Sequence, residues 1–121
     1  LAGVPLWRVI AGVFPETDRR VAVEALVAVG LGEHLDQRAD TLSGGQQQRV
    51  AIARALAQKS SVILADEPVA SLDPETAEQV LTLMKTLAER HGIGVLATLH
   101  QPQLAQRFGD RILRMEDGRL V

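Results

Sequence analysis

The sequence predicts an α/β fold in which a helical first half is followed by a mostly parallel sheet with flanking helices and a C-terminal β-hairpin. Three observations predict it. Apolar residues recur at helical spacing in the first half. Short unbroken apolar runs, typical of strands covered on both faces of a parallel sheet, then alternate with helical segments. Near the end, Asp117-Gly118 is typical of a tight two-residue hairpin.

Two helices are predicted in the first half. The first spans Glu16 to Val29, where apolar residues form one face. The second begins at Ser43, because Ser43-Gly44-Gly45-Gln46 has the S-x-x-Q spacing of a capping box, and it continues to about Gln58. No definite element is predicted for residues 1–15. A single helical turn is expected around His34 to Gln37.

The second half alternates strands with helices. Asp73-Pro74 is a strong helix start, because Asp caps a helix and Pro suits the first helical position. We predict a strand at Val62–Ala65, a helix from Asp73 to His91, a strand at Ile93–Leu99, a helix from Pro102 to about Phe108, and a strand at Arg111–Met115.

Composition excludes several classes of protein. The 121 residues include 46% hydrophobic residues, which excludes a disordered chain. The net charge of −2 provides no general attraction to nucleic acid, and no cysteine is present for a disulfide framework. No apolar run approaches the roughly 20 residues of a membrane span. Because the chain opens with Leu1, we expect it to be part of a longer protein.

The glycine-rich start of the second predicted helix is a candidate anion site. A helix N-terminus presents free N–H groups and the positive end of the helix dipole, and glycines let a phosphate approach closely. Ser43 adds a hydroxyl. The plainer interpretation is an ordinary capped helix, the cap contributing about 1 kcal/mol. On these residues alone the two interpretations are about equal.

Polar side chains also follow the two predicted buried strands. Asp66 and Glu67 come after the first, where Asp66 suits a magnesium ion and Glu67 suits a role in orienting or deprotonating a water. His100 follows the second strand. Taken alone, each residue is better explained by a chain reaching solvent, and Asp73 by its capping role. Their order predicts that all of them converge at one edge of the sheet, as in a phosphate-handling site.

At this point the sequence resembles the ATP-binding cassette (ABC) ATPases. Leu42-Ser43-Gly44-Gly45-Gln46 resembles their signature motif, and Val62 to Glu67 resembles their Walker B strand. Ser71-Leu72-Asp73 resembles the D-loop and His100 the switch histidine. A narrower resemblance, to phosphonate import ATPases, rests on these segments: Pro5-Leu6-Trp7-Arg8, Gln37 to Asp40, Asp66 to Pro74, and Asp110-Arg111-Ile112.

The resemblance implies a partial P-loop NTPase fold with ATP and Mg²⁺ as cofactors. Residues 1–59 would belong to the helical subdomain, with the signature motif, and residues 60–121 to the catalytic α/β part. It implies that Asp66 coordinates the metal and that Glu67 and His100 are catalytic. It implies that Ser43 and the N–H groups of Gly44 and Gly45 contact the γ-phosphate of the nucleotide held by the opposite subunit and that Asp73 communicates across the dimer. The implied nucleotide-binding residues are Ser43, Gly44, Gly45, Gln46 and Asp73.

The implied partners are a second ATPase subunit in a head-to-tail dimer and a transmembrane permease. The subunit would lie at the cytoplasmic face of the inner membrane, without contact to the transported substrate or to nucleic acid. No segment reads G-x-x-x-x-G-K-[ST], the Walker A loop, so these 121 residues alone are expected to be inactive. Two alternatives stay open: an ABC ATPase for another cargo, and a non-catalytic fragment that only binds a partner.

Overall fold

The computed structural model describes residues 5–13 and 19–121. Their helices are α1 (Leu6–Val13), α2 (Arg19–Ala28), α3 (Gly44–Ala57), α4 (Pro74–His91) and α5 (Pro102–Phe108), with 3₁₀ turns at Gly32–His34 and Ala39–Thr41. The strands are β1 (Val62–Asp66), β2 (Gly94–Thr98), β3 (Met115–Glu116) and β4 (Arg119–Leu120). No helix among these residues is both long enough and apolar enough to cross a membrane.

The core of the helical half lies between α1, α2 and α3. Leu6 and Ile10 of α1 and Leu26 of α2 are completely buried there. The sequence analysis assigned no element to the segment that forms α1. This segment contains scattered Gly and Pro, and it is helical because α1 packs against α2 and α3. The predicted start of the next helix, at Glu16, lies outside the described residues.

The helical turn after α2 lies at Gly32–His34, earlier than the expected His34–Gln37. Leu31 explains the shift. Its side chain is buried, and its N–H donates to the carbonyl of Leu26 at 2.8 Å, which folds the chain back onto the end of α2. The turn then follows immediately, since the N–H of His34 donates to the carbonyl of Leu31.

Helix α4 matches its prediction closely. Asp73 caps it, Pro74 occupies its first turn, and Gly92 ends it with a left-handed φ of 64°. One face is buried against the rest of the core through Ala77, Val80, Leu81, Met84 and Leu87. The burial follows from 3.6-residue spacing, as the sequence indicated.

Strands β1 and β2 form a parallel pair, as predicted, but the expected burial on both faces is wrong. Ile63, Ala65 and Ala97 lie on one side and are half-buried. On the other side Leu64 is 75% exposed and Leu96 is 61% exposed. The apolar pattern therefore predicted the two strands correctly but not their burial. Among the described residues, nothing packs closely over the side that carries Leu64 and Leu96.

The predicted strand at Arg111–Met115 is also wrong in extent. Only Met115–Glu116 is a strand, paired antiparallel with Arg119–Leu120. In the described part of the chain no strand pairs with residues 111–114, and strand structure requires such a partner. The hairpin itself is confirmed: Asp117 and Gly118 have φ values of 49° and 76°, and a type I′ turn needs positive φ at both positions.

Candidate functional site

Four polar residues meet where β1 and β2 end, and we call Asp66, Glu67, Thr98 and His100 the strand-end cluster. Asp66 is the last residue of β1 and pairs in register with Thr98, the last residue of β2. Glu67 follows β1 directly and His100 lies two residues beyond β2. Since parallel strands end at the same edge, the pairing of β1 with β2 brings together residues 31 to 33 positions apart in sequence.

Hydrogen bonds connect the strand-end cluster across the two strands. The Thr98 hydroxyl accepts from the Glu67 N–H at 2.8 Å and donates to Asp66 Oδ1 at 2.9 Å. His100 Nε2 contacts Glu67 Oε1. The His100 and Glu67 side chains are 74% and 44% exposed, so both remain accessible to a ligand. The arrangement presents two carboxylates and an imidazole to solvent within one small region.

The backbone of Glu67 is in the left-handed region, with φ of 48°. For a residue other than glycine this conformation costs of order 1–3 kcal/mol and persists only where neighbours enforce it. Two neighbours do so here. The N–H of Glu67 is bound by Thr98, and its carbonyl accepts from the Ala70 N–H at 3.2 Å. Buried Pro68 and Val69 then anchor the turn.

A second group of residues surrounds the starts of α3 and α4, and we call Ser43, Gly44, Gly45, Gln46, Asp73 and Thr76 the cap cluster. The predicted capping box is confirmed: Ser43 Oγ accepts from the Gln46 N–H at 3.2 Å, and Gln46 Oε1 accepts from the Ser43 N–H at 3.1 Å. The Gln46 side chain is therefore engaged in the cap. Helix geometry leaves the N–H groups of Gly44 and Gly45 without intrahelical acceptors. Gly44 is exposed, whereas Gly45 is buried.

Asp73 caps α4 through its bonds to Thr76. Its carboxylate accepts from the Thr76 hydroxyl at 2.6 Å and from the Thr76 N–H at 3.1 Å. These bonds favour the ionised carboxylate, so they lower the pKa of Asp73 below its usual 3.8, the hydroxyl bond contributing most. Asp73 therefore stays charged at the helix N-terminus, where the helix dipole favours a carboxylate.

The two glycines of the cap cluster have a packing role that the sequence did not reveal. A Cβ at Gly45 would lie 2.6 Å from the Thr76 methyl group, and one at Gly44 would lie 3.0 Å from Leu72 Cδ2. The start of α3 thus approaches the start of α4 so closely that a side chain at residue 45 would require Thr76 or the helices to shift. These glycines let the start of α3 lie beside Leu72 and Thr76, next to the Asp73 cap.

The structure joins the predicted site residues into these two groups. Asp66, Glu67 and His100 lie together, as predicted, and the Ser43-to-Gln46 helix start lies beside the Asp73 turn. That both groups act in one site stays a prediction. Thr98 and Thr76 were missed, because a single threonine near a strand or helix end has no distinctive signal in sequence. Each lies close in sequence to a predicted site residue. Thr76 follows Asp73 by three residues, and Thr98 precedes His100 by two.

The side chains of the strand-end cluster suit only a metal ion that takes most of its ligands from water or substrate. Among residues 5–13 and 19–121, no group of three His, Cys, Asp or Glu side chains could hold a metal by itself. Mg²⁺ keeps several waters and is often bound by one or two carboxylates with substrate phosphates. The exposed Asp66 carboxylate, with one oxygen accepting from Thr98, fits that pattern.

A parallel strand pair with polar residues at its carboxyl ends defines the class of α/β proteins that bind ligands at that edge of the sheet. A protein-family model described as "ABC transporter" matches residues 8–70, which is more than half of the chain. The chain therefore belongs to the ABC transporter family.

Curated relatives agree with this family assignment. Over the whole chain, the sequence is 50% identical to the phosphonates import ATP-binding protein PhnC of Burkholderia pseudomallei, covering 39% of that protein. It is 52% identical to the hypophosphite import ATP-binding protein HtxD of Stutzerimonas stutzeri, covering 36% of it. The chain thus spans well under half the length of these two relatives.

A solved structure is also similar to this chain. The dimeric, post-hydrolysis ATP-binding cassette MJ0796, bound to ADP and Pi, matches 99% of this chain and 56% of its own chain with a TM-score of 0.78. The sequence identity is 35%. The fold is therefore that of an ABC cassette, of which these residues form a part.

Proposed function

We propose that this chain is part of the ATP-hydrolysing subunit of an importer for phosphonate or a related phosphorus oxyanion. The observation that supports the proposal most is the strand-end cluster, in which Asp66, Glu67 and His100 from two strands meet at one exposed edge. This cluster occurs in a chain about half identical to phosphonate and hypophosphite import ATP-binding proteins.

Glu67 is the residue that acts on the attacking water. Its carboxylate accepts a proton as the water oxygen bonds to the γ-phosphorus, and the electron pair of the breaking bond passes to the β-phosphate oxygen of the leaving ADP. The contact with His100 Nε2 holds the Glu67 side chain toward β2. His100 is exposed enough to turn to a γ-phosphate oxygen when nucleotide is present, and there it donates a hydrogen bond to developing charge.

Asp66 is the residue that would hold Mg²⁺, together with water and phosphate oxygens. Bound there, the ion would supply neutralisation of the phosphate charge. For that role the Asp66 carboxylate must be held in one orientation. The Thr98 hydroxyl, which donates a hydrogen bond to Asp66 Oδ1, holds it there.

The cap cluster serves the nucleotide of a second subunit. Its N–H groups at Gly44 and Gly45 and the Ser43 hydroxyl form an anion-binding helix start, and Asp73, which caps α4 through Thr76, communicates across the dimer. The MJ0796 cassette is described as dimeric, which supports a paired arrangement for this family. Gln46 contributes by holding the Ser43 backbone in the capping box.

The remaining proposals concern the organisation of the whole protein. Residues 1–59 contribute to the helical subdomain and residues 60–121 to the catalytic part. The two subunits work beneath a transmembrane permease at the cytoplasmic face of the inner membrane, and the transported substrate meets the permease rather than this chain. These proposals follow from the family and from the import proteins that the chain resembles.

The decisive experiment uses a full-length cassette that contains these 121 residues. We expect it to hydrolyse ATP in the presence of magnesium, and Glu67→Gln to lower the rate about 10²–10⁴-fold, because a general base contributes that much. ATP binding, measured by titration, should persist, since glutamine keeps the size of the side chain. The matched control is Glu89→Gln, at an exposed position on α4.

Three outcomes would contradict the proposal: no hydrolysis by the parent, near-parent hydrolysis by Glu67→Gln, or an equal loss in Glu89→Gln. The cargo is tested separately, in cells where this cassette replaces the resident import subunit. Growth with a phosphonate as the sole phosphorus source supports phosphonate, growth with hypophosphite alone supports that anion, and growth with neither overturns the cargo assignment.

A further inference from the structure

The hydroxyl of Thr98 is the only described group that the hydrogen bonds place between Asp66 and the backbone of Glu67. Thr98 and Asp66 are register partners at the end of the parallel pair, so their side chains lie on the same side of the sheet. The hydroxyl accepts from the Glu67 N–H and donates its proton to Asp66 Oδ1. One side chain therefore contacts both of the consecutive acidic residues.

Both bonds use the specific chemistry of a hydroxyl. A hydroxyl offers one donor and two acceptor sites, whereas an ionised carboxylate only accepts and a backbone N–H only donates. The Glu67 N–H occupies an acceptor site, which leaves the hydroxyl proton directed at Asp66. A methyl group at the same position could make neither bond.

The bond to Glu67 also acts on a strained backbone. Glu67 has a left-handed φ of 48°, and the direction of its side chain depends on that angle. In this conformation its carboxylate reaches His100. If the Thr98 bond were lost, the backbone of Glu67 would be freer to return to a more favourable region, and its carboxylate would leave that position.

We propose that Thr98 is a positioning residue for phosphoryl transfer: its hydroxyl orients the Asp66 carboxylate and holds the Glu67 backbone in the conformation that directs the Glu67 side chain to His100. The proposal rests on the proposed function, because it assigns Thr98 an effect on a reaction that Asp66 and Glu67 perform.

The kinetic test compares Thr98→Val with Thr98→Ser in the full-length cassette that contains this chain. Valine keeps the branched shape but lacks the hydroxyl, and serine keeps the hydroxyl. Residues that orient metal ligands typically affect activity about 10- to 100-fold, so we expect Thr98→Val to lower kcat by that factor while KM for ATP changes less. Thr98→Ser should restore most of the rate. Thr86→Val, at an exposed position on α4, is the matched control.

A second measurement does not depend on activity. In the nucleotide-free protein, the Glu67 amide should be protected from hydrogen exchange in the parent and in Thr98→Ser, and should exchange faster in Thr98→Val. Thermal unfolding of each variant separates this local effect from a general loss of stability. A uniform increase in exchange over β1 and β2 would indicate a merely structural role and overturn the proposal.

The outcomes also separate this inference from the proposed function. If the parent hydrolyses ATP and Thr98→Val keeps the parent kcat, only the role of Thr98 is wrong. An unchanged exchange rate at Glu67 in Thr98→Val likewise overturns only the role of Thr98. If the parent does not hydrolyse ATP, the proposed function is wrong and the positioning role falls with it, whatever the exchange data show.

Discussion

The strand-end cluster and the cap cluster are assembled in different ways. In the cap cluster, the bonds between Ser43 and Gln46 and between Asp73 and Thr76 each span three residues of chain. In the strand-end cluster, the bonds span 31 to 33 residues and require that β1 and β2 pair in one register. The caps therefore stabilise the helices that they begin, whereas the strand-end cluster joins exposed side chains of two strands, where the proposed function places the chemistry.

Of the three tests of this comparison, the largest expected effect is on turnover, through His100→Ala. Alanine removes the contact with Glu67, and hydrogen bonds to charged groups contribute about 1.5–3 kcal/mol, so we expect a loss of at least about 10-fold in the hydrolysis rate of the full-length cassette. The melting temperature should change little, because the His100 side chain is 74% exposed.

The control for His100→Ala is His91→Ala, in the last turn of α4, which should keep the parent rate. A large fall in melting temperature at a normal specific rate would make His100 a structural residue. It would also remove the functional distinction between the two clusters.

A smaller effect, on stability, is expected in the cap cluster from Gly45→Ala. The new Cβ would lie 2.6 Å from the Thr76 methyl group, and overpacking of this kind typically costs about 1–3 kcal/mol. Alanine's higher helix propensity offsets up to about 1 kcal/mol of that loss. Urea unfolding of the parent and variant gives the net change in the free energy of unfolding.

Thr76→Ser tests whether the Thr76 methyl group is the cause. Serine lacks that methyl group but keeps the hydroxyl that donates to Asp73. In this background Gly45→Ala should cost less than it does in the parent. Independent, additive effects of the two substitutions would show that the close approach of α3 to α4 does not limit residue 45.

The smallest expected effect is the pH dependence that Asp73 contributes. Its pKa is lowered in the folded protein by its bonds to Thr76, so its stabilising contribution is present above the unfolded value of 3.8 and is lost as pH falls through the lower folded value. Asp73→Asn should therefore flatten the loss of stability with falling pH below 3.8. Unfolding measured above and below that pH gives the comparison, with Asp36→Asn as the control. Equal slopes in parent and Asp73→Asn would contradict the assignment.

Much of the cap cluster could be predicted because its causes are local. The S-x-x-Q spacing at Ser43 and the Asp73-Pro74 pair each specify a helix start through neighbouring residues, and the structure begins α3 and α4 where these signals indicated. The Asp117-Gly118 turn was predictable for the same reason, since its backbone conformation depends on two residue types.

Other features depend on distant parts of the chain and were missed or wrong. Helix α1 was left unassigned although Leu6 and Ile10 have helical spacing, and it is stabilised by burial of these two residues against α2 and α3. The apolar runs of β1 and β2 predicted burial on both faces, although exposure also depends on what packs over each face, and Leu64 is 75% exposed. The strand predicted at Arg111–Met115 is observed only at Met115–Glu116, because a strand is defined by its hydrogen-bonded pairing and not by composition.

By itself, the sequence established the order of helices and strands in the second half, both helix caps, the hairpin turn and the residues that make the chain resemble an ABC cassette. Each of these depends on residue type over a few neighbouring positions. Only the tertiary structure determines which of those residues are in contact. The register of β1 with β2 places Thr98 against Asp66, and the approach of α3 to α4 places Gly45 against Thr76. Such contacts join residues about 30 positions apart, and their geometry exists only once the helices and strands between them have packed.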